Sequence, residues 1–204
     1  LAAVVPLDVA IYACHCLTAI VGSRDGNSSS IMGHFTWLQY DLGVSRGQYM
    51  GLIPCLLRNN AAYLITLQSS STPPDAYAKK QLEWIENIMV LIIGIMNVPS
   101  SLAPLTENGL ILLFLDVLKL RPKYHDTHYK YIEVLIVQIL ETLISNYNIA
   151  MTLFKDHSAV DVIMDRMLHE TTYQSEKMHL EAQEVFIYNL VNIYALYIQD
   201  GNDN

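Results

Sequence analysis

The sequence predicts an all-α chain, built as an armadillo/HEAT-like helical-repeat solenoid (an α-α superhelix). Three observations predict it. Apolar residues recur at helical spacing along nearly the whole chain. No alternating stretch is bounded by Asn-Gly or Asp-Gly in hairpin register. The segment from Ile95-Met96-Asn97 to Leu118 also aligns without a gap on the segment from Ile144-Ser145-Asn146 to Met167. Asn97 and Asn146 are 49 residues apart, as are Asp116 and Asp165. Apolar positions coincide between them: Leu102 with Met151, Leu105 with Phe154, Leu115 with Met164, and in the preceding helices Ile88 with Val137 and Leu91 with Leu140. Each unit reads as a long helix, a short connecting helix and a medium helix. Armadillo and HEAT units run to about 40–47 residues, so this spacing lies just above their range. Gly51-Leu52-Ile53-Pro54 resembles Gly109-Leu110-Ile111-Leu112, which predicts a third unit with longer loops. One such unit cannot cover its own apolar face, and stacking three buries a continuous core.

The elements follow from local signals. The first helix is expected over 7–21, with Ile11, His15, Thr18 and Ala19 close together on the wheel. The turn formers of 22–30 end it. A short helix over 32–40 and a loop over 43–47 come next. The following helix starts near Tyr49 and carries Leu52, Ile53, Leu56, Leu57, Leu64 and Leu67. Its Pro54 sits near the start, where a missing amide proton matters little. Ser69 to Asp75 is the clearest loop, because Pro73-Pro74 cannot continue a helix. Helices are then expected over 76–97, 109–120, 127–145, 148–154 and 158–169, with a break over 98–103 and a short turn over 104–107. Ser158 and Asp161 have the spacing of a capping box. A last helix spans about 176–199, with Leu180, Val185, Ile187, Leu190, Val191, Tyr194 and Ile198 on a broad apolar face. The organisation is thus a repeat region of about three units over 1–175, with a flexible loop near 68–76. A C-terminal helix and polar tail follow over 176–204.

Composition narrows the function. The 204 residues are 52% hydrophobic and 16% charged, the reverse of a disordered chain. Acidic residues outnumber basic ones by 20 to 12, for a net charge of −8. Such a chain lacks the cationic footprint for phosphate backbones or anionic membranes, so neither nucleic acid nor membrane is an expected partner. The longest apolar run, Ile88 to Met96, is half of the roughly 18 residues that cross a bilayer. Cys14, Cys16 and Cys55 are too few for a disulfide framework, and the simplest reading is reduced thiols in the cytoplasm and/or nucleus. The chain opens at Leu1 and closes on Gly201-Asn202-Asp203-Asn204, both suggesting a piece of something longer.

Candidate chemical groups are weak. Cys14-His15-Cys16 has the wrong spacing for structural zinc, even with Cys55, and is expected to be buried core. His125-Asp126-Thr127-His128 offers a His pair three apart but no further ligands nearby, so a solvated loop capping the helix from Thr127 is expected. His34 after Gly33 suggests a hydrolase only superficially, since there is no Gly-x-Ser-x-Gly elbow and no phosphate-binding loop. Tyr124, Tyr129, Tyr131, Tyr188, Tyr194 and Tyr197 fall at helix ends and edges, as in recognition surfaces, although ordinary packing explains them equally well. No catalytic, cofactor-binding or metal residue is assigned, no cofactor is expected, and protein-binding residues are not identified.

The segment Asp41-Leu42-Gly43-Val44-Ser45-Arg46-Gly47-Gln48-Tyr49-Met50-Gly51-Leu52-Ile53-Pro54-Cys55-Leu56-Leu57-Arg58 resembles part of the giant HECT-type E3 ubiquitin ligases, the HECT, UBA and WWE domain-containing family of animals and its fungal and plant counterparts. Their N-terminal armadillo-like region carries a similar glycine-then-hydrophobic-Leu-Pro segment followed by a long serine-rich loop, where Ser69 to Asp75 falls here. Ile88-Met89-Val90-Leu91 through Leu102, Leu105, Asn108-Gly109-Leu110 and Leu118 resembles the next helical pair. Tyr131 to Leu143 through Phe154, His157 and Val160 to Leu168 resembles the unit after it. The similarity covers roughly residues 8–175. It implies a non-catalytic solenoid segment that recruits protein substrates and packs against neighbouring repeats of the same chain. The family's catalytic cysteine lies in a C-terminal HECT domain, so none of the three cysteines here inherits that role. Two other readings stand beside it: a stand-alone armadillo/HEAT adaptor unrelated to ubiquitin transfer, and a helical enzyme or ligand carrier with a buried pocket. The solenoid reading also predicts poor solubility of these 204 residues alone, because end faces meant for neighbours are exposed.

Overall fold

The computed structural model describes residues 6–22, 52–70, 72–97, 101–107, 109–121, 127–172 and 180–202. Among these residues the chain is all-helical, with no strand. The helices are α1 (Leu7–Gly22), α2 (Leu52–Ser69), α3 (Ala76–Met96), α4 (Leu102–Glu107), α5 (Leu110–Leu118), α6 (Thr127–Asn146), α7 (Asn148–Asp156), α8 (Ala159–Thr172) and α9 (Leu180–Asn202). The expected helix over 32–40 and loop over 43–47 lie outside the described residues.

Local chemistry fixes the boundaries. Asp75 caps α3 in extended conformation, its Oδ1 accepting from the Ala78 amide at 2.8 Å. Pro73 and Pro74 precede it, and Thr72, Pro73 and Asp75 are exposed. At the other end of α3 the buried Ser101 hydroxyl donates to the Ile95 carbonyl at 3.0 Å, satisfying an acceptor that the helix leaves open. Gly109 precedes α5 with φ of 73°, a left-handed conformation that side-chain-bearing residues rarely adopt. The short turn expected over 104–107 is a full helix, α4, with Pro104 in its first turn, where proline is tolerated. The capping box expected at Ser158 does not form. Ser158 has a φ of 50°, its amide donates to the Lys155 carbonyl, and the Asp161 amide donates to the Ser158 carbonyl. Both amides that the box would use are therefore taken by backbone.

Packing proceeds from one long helix to the next: α1 against α3, α3 against α6, and α6 against α9. Meanwhile α2 packs on α5, α5 on α8, and α8 on α9. Pairs Asp8–Lys80, Cys14–Asn87 and Val21–Gly94 advance together along both chains, so α1 runs parallel to α3. Gly94 allows the close approach, since a Cβ there would sit 3.4 Å from Val21 Cγ1. The pairs Lys130–Phe186 and Glu141–Asn192 give α6 and α9 the same parallel sense. Because α3 is flanked on both sides, it buries two stripes: Ala78, Leu82, Ile85, Met89, Ile92 and Met96 on one, and Ile88, Leu91 and Ile95 on the other. The core continues through Phe114, Ile136, Leu140 and Phe154 to Phe186, Leu190 and Ile193. No single described helix is long and apolar enough to cross a membrane. Among the described residues one helix pair, α6 with α7, passes by length and composition, and it is bent by 117°.

Of the apolar face expected on α9, Leu190 is buried and Ile187 and Tyr194 are half-buried, while the rest is exposed. Ala182, Phe186, Leu190 and Ile193 face the core, while Leu180, Val185, Val191 and Ile198 are exposed. Apolar side chains lie almost all round this helix, so its periodicity does not tell the inner face from the outer.

Candidate functional site

The most distinctive chemistry among the described residues is a buried ion cluster where α6, α8 and α9 meet. One turn of α6 and one turn of α8 place its charged members. Lys130 and Glu133 share one face of α6 at i,i+3, and Arg166 and Glu170 share one face of α8 at i,i+4. Glu133 and Arg166 are fully inaccessible to solvent, and Glu170 is nearly so. Glu133 Oε1 accepts from Arg166 Nη2 at 2.5 Å, and Glu133 Oε2 lies 3.3 Å from Lys130 Nζ. Glu170 Oε2 accepts from Lys130 at 2.7 Å, and Glu170 Oε1 lies 2.8 Å from Arg166 Nη2. Each carboxylate thus meets both cations, and the four charges sum to zero. Arg166 Nη1 donates to the Leu120 carbonyl at 2.6 Å, tying the end of α5 to the cluster. From α9, Phe186 places its ring 4.3 Å from Lys130 Nζ and 5.3 Å from the Arg166 guanidinium carbon, where a cation meets the ring's negative face. Gln183 Nε2 donates to the Glu170 backbone carbonyl at 2.8 Å.

Electrostatics follow from this geometry. Burial pushes the Glu170 carboxyl up, but Lys130 and Arg166 outweigh it and hold its pKa below the usual value. The Tyr129 hydroxyl, one turn before Glu133, is pushed well up by burial and by the Glu133 charge, against the opposing pull of Arg166 and Arg121. It stays a neutral phenol. His169, at the rim, is held below the ordinary imidazole value by burial and then by Arg166 and Arg121, against Glu170. Arg121 closes the rim, pairing with Asp165 and donating to the carbonyls of Leu118, Lys119 and Leu120. An ion cluster this well paired is a clamp between helices. Beside it, Arg166 Nε and the Tyr129 hydroxyl are buried without a hydrogen-bond partner among the described residues.

Sequence reasoning missed this cluster, although a signal was present. Glu133 interrupts the buried run Ile132–Val134, and Arg166 lies 49 residues after Val117, a fully buried position. A charge at a core-phase position calls for a buried partner.

The groups singled out in the sequence are dispersed. Cys14 is buried as expected, its thiol donating to the Asn87 carbonyl at 3.3 Å, and burial pushes its pKa up to about 11. His15 and Cys16 are instead exposed, because the inner face of α1 is formed by Ile11, Cys14 and Val21. Nothing is described of the Cys55 side chain, and His34, Tyr124, His125 and Asp126 lie outside the described residues. Thr127 opens α6, and His128 Nδ1 lies 2.6 Å from Glu86 Oε2, joining α6 to α3. Among the described residues no three His, Cys, Asp or Glu side chains gather as a metal site requires. Tyr129 is buried, Tyr131 and Tyr188 are exposed, and Tyr194 and Tyr197 are half-buried, with Lys155 Nζ 5.9 Å from the Tyr197 ring centre.

Comparison with family models, with curated proteins and with solved structures finds no match to this chain.

Proposed function

We propose that this chain is a non-catalytic, armadillo/HEAT-like segment of a large HECT-type E3 ubiquitin ligase, a scaffold for recruiting protein substrates in the cytoplasm and/or nucleus. The observation that carries the scaffold reading is the packing order. Long helices succeed one another from α1 through α3 and α6 to α9, and α2, α5 and α8 form a second file beside them. The helix triplets α3–α4–α5 and α6–α7–α8 match the long–short–medium pattern of the 49-residue offset. Helices stacked in this way leave extended faces for other chains. The ligase reading rests on the resemblance over residues 8–175, and it is supported by the exposed Thr72, Pro73 and Asp75 between α2 and α3, where the family has its serine-rich loop.

The test is the full-length transcript that contains this segment. A HECT domain downstream in the same reading frame is the expected result. A reading frame that ends without one would overturn the ligase assignment and leave the stand-alone adaptor.

A further inference from the structure

The outer face of α9 has a spacing that its inner face does not explain. Leu180, Glu184, Ile187, Val191, Tyr194 and Ile198 follow one another at intervals of four, three, four, three and four residues. That is the seam of a helix that meets another helix. Leu180, Val191 and Ile198 are 49%, 44% and 44% exposed, Glu184 is exposed, and Ile187 and Tyr194 are half-exposed. Beside the seam, Tyr188 is 65% exposed. The long helices α3 and α6 are each packed by long helices on two sides, whereas α9 has a long neighbour, α6, on one side among the described residues. Five of the large apolar residues exposed on the described surface belong to this one helix.

We propose that this face is a docking seam for an amphipathic helix of a partner protein carrying Lys or Arg beside its apolar stripe. The proposal deepens the scaffold reading and rests on its protein-binding part, and it assigns to a partner protein the end face that stacking alone would leave to a neighbouring repeat. Charge selects the occupant. Helix α9 contains Glu181, Glu184 and Asp200 and no Lys or Arg, and Asp200 is already paired with Lys155. Glu184 stands within the seam itself, so a docked helix takes its carboxylate out of water. That is unfavourable unless a cation faces it. A second copy of this chain does not supply one. A parallel pairing sets Glu184 beside Glu184, and an antiparallel pairing sets it against the apolar end of the seam. The net charge of −8 opposes self-association further and steers a basic partner inward.

The test uses the 204-residue chain and two labelled helical peptides of about three heptads with the same Leu seam, one flanked by Lys and the other by Glu. Fluorescence anisotropy is expected to show the Lys peptide binding about ten-fold or more tightly than the Glu peptide. Val191→Asp should weaken the Lys peptide about ten-fold, and Glu184→Lys should remove or reverse the preference. Both positions are exposed, and Glu184→Gln, which removes the charge at constant size, should weaken the Lys peptide alone. Equal affinity for the two peptides would overturn the proposal. So would Lys-peptide binding that survives Val191→Asp and Glu184→Lys, since that is general attraction to an acidic surface. A concentration-dependent dimer abolished by Val191→Asp would assign the seam to a second copy instead. None of these outcomes bears on whether a HECT domain follows in the full-length chain, so failure here is distinguishable from failure of the ligase reading.

Discussion

Arg166 holds two buried carboxylates, one carbonyl and one aromatic ring at once. Removing it strands Glu133 and Glu170 with Lys130 as their remaining close cation. Arg166→Met is therefore expected to destabilise the fold by about 3–5 kcal/mol in urea unfolding. Pairing it with Glu133→Leu should recover a large part of that loss, because an apolar pair of similar volume carries no desolvation penalty. A double variant no more stable than the single one would show that the cluster is not what Arg166 supports. The same residues give a pH dependence. The folded pKa of His169 is depressed, so its contribution falls as pH drops below the ordinary value of 6.5. The folded pKa of Glu170 is also depressed, and its contribution is lost as pH falls below 4.5 towards the folded value. Both act in one direction, so midpoints measured from pH 7 to pH 3 should decrease, and Glu170→Gln should flatten the acid limb. A midpoint that rises on acidification would contradict this account.

Helix α3 shows how a single side chain starts an element. Asp75 supplies the cap that Pro73 and Pro74 prepare, and Asp75→Ala is expected to destabilise by about 1 kcal/mol with no change of fold by circular dichroism. A neutral result would mean that packing on both sides of α3 overrides its cap. Boundaries of this kind were legible in the sequence because Pro, Gly and Asp act locally. The start of α3 after Pro74, the start of α1 at Leu7 and the stop of α5 before Arg121-Pro122 all fall within two residues of expectation. Facing was less legible. On α9 nearly every turn carries an apolar residue, so its inner side is decided by Phe186 meeting Lys130 and Arg166, two cations distant in sequence. The Ser158 cap failed for a related reason: the tight turn after α7 uses its backbone amides before any side chain can reach them. The ion cluster joins residues 33 to 40 positions apart, a relation that no local window contains.

At the scale of the whole molecule, a file of long helices with exposed apolar side chains on α1 (Val9, Tyr12, Ile20) and α9 holds much of the hydrophobic surplus, and no single described helix is long and apolar enough to cross a membrane. A stacked array is longer than a globule of the same mass. Small-angle scattering of the monomer should give a radius of gyration clearly above the roughly 17 Å of a compact chain of this length, and a value at or below it would contradict the stacked reading. The proposed role is to recruit substrate within a HECT-type ligase whose chemistry lies in another domain. Its most direct measurement compares the full-length protein with a version lacking residues 7–202, scoring the ubiquitin thioester and substrate ubiquitination separately. An unchanged thioester with substrate modification lost is the expected result, and a deletion that abolishes the thioester, or leaves substrate modification intact, overturns the proposed role.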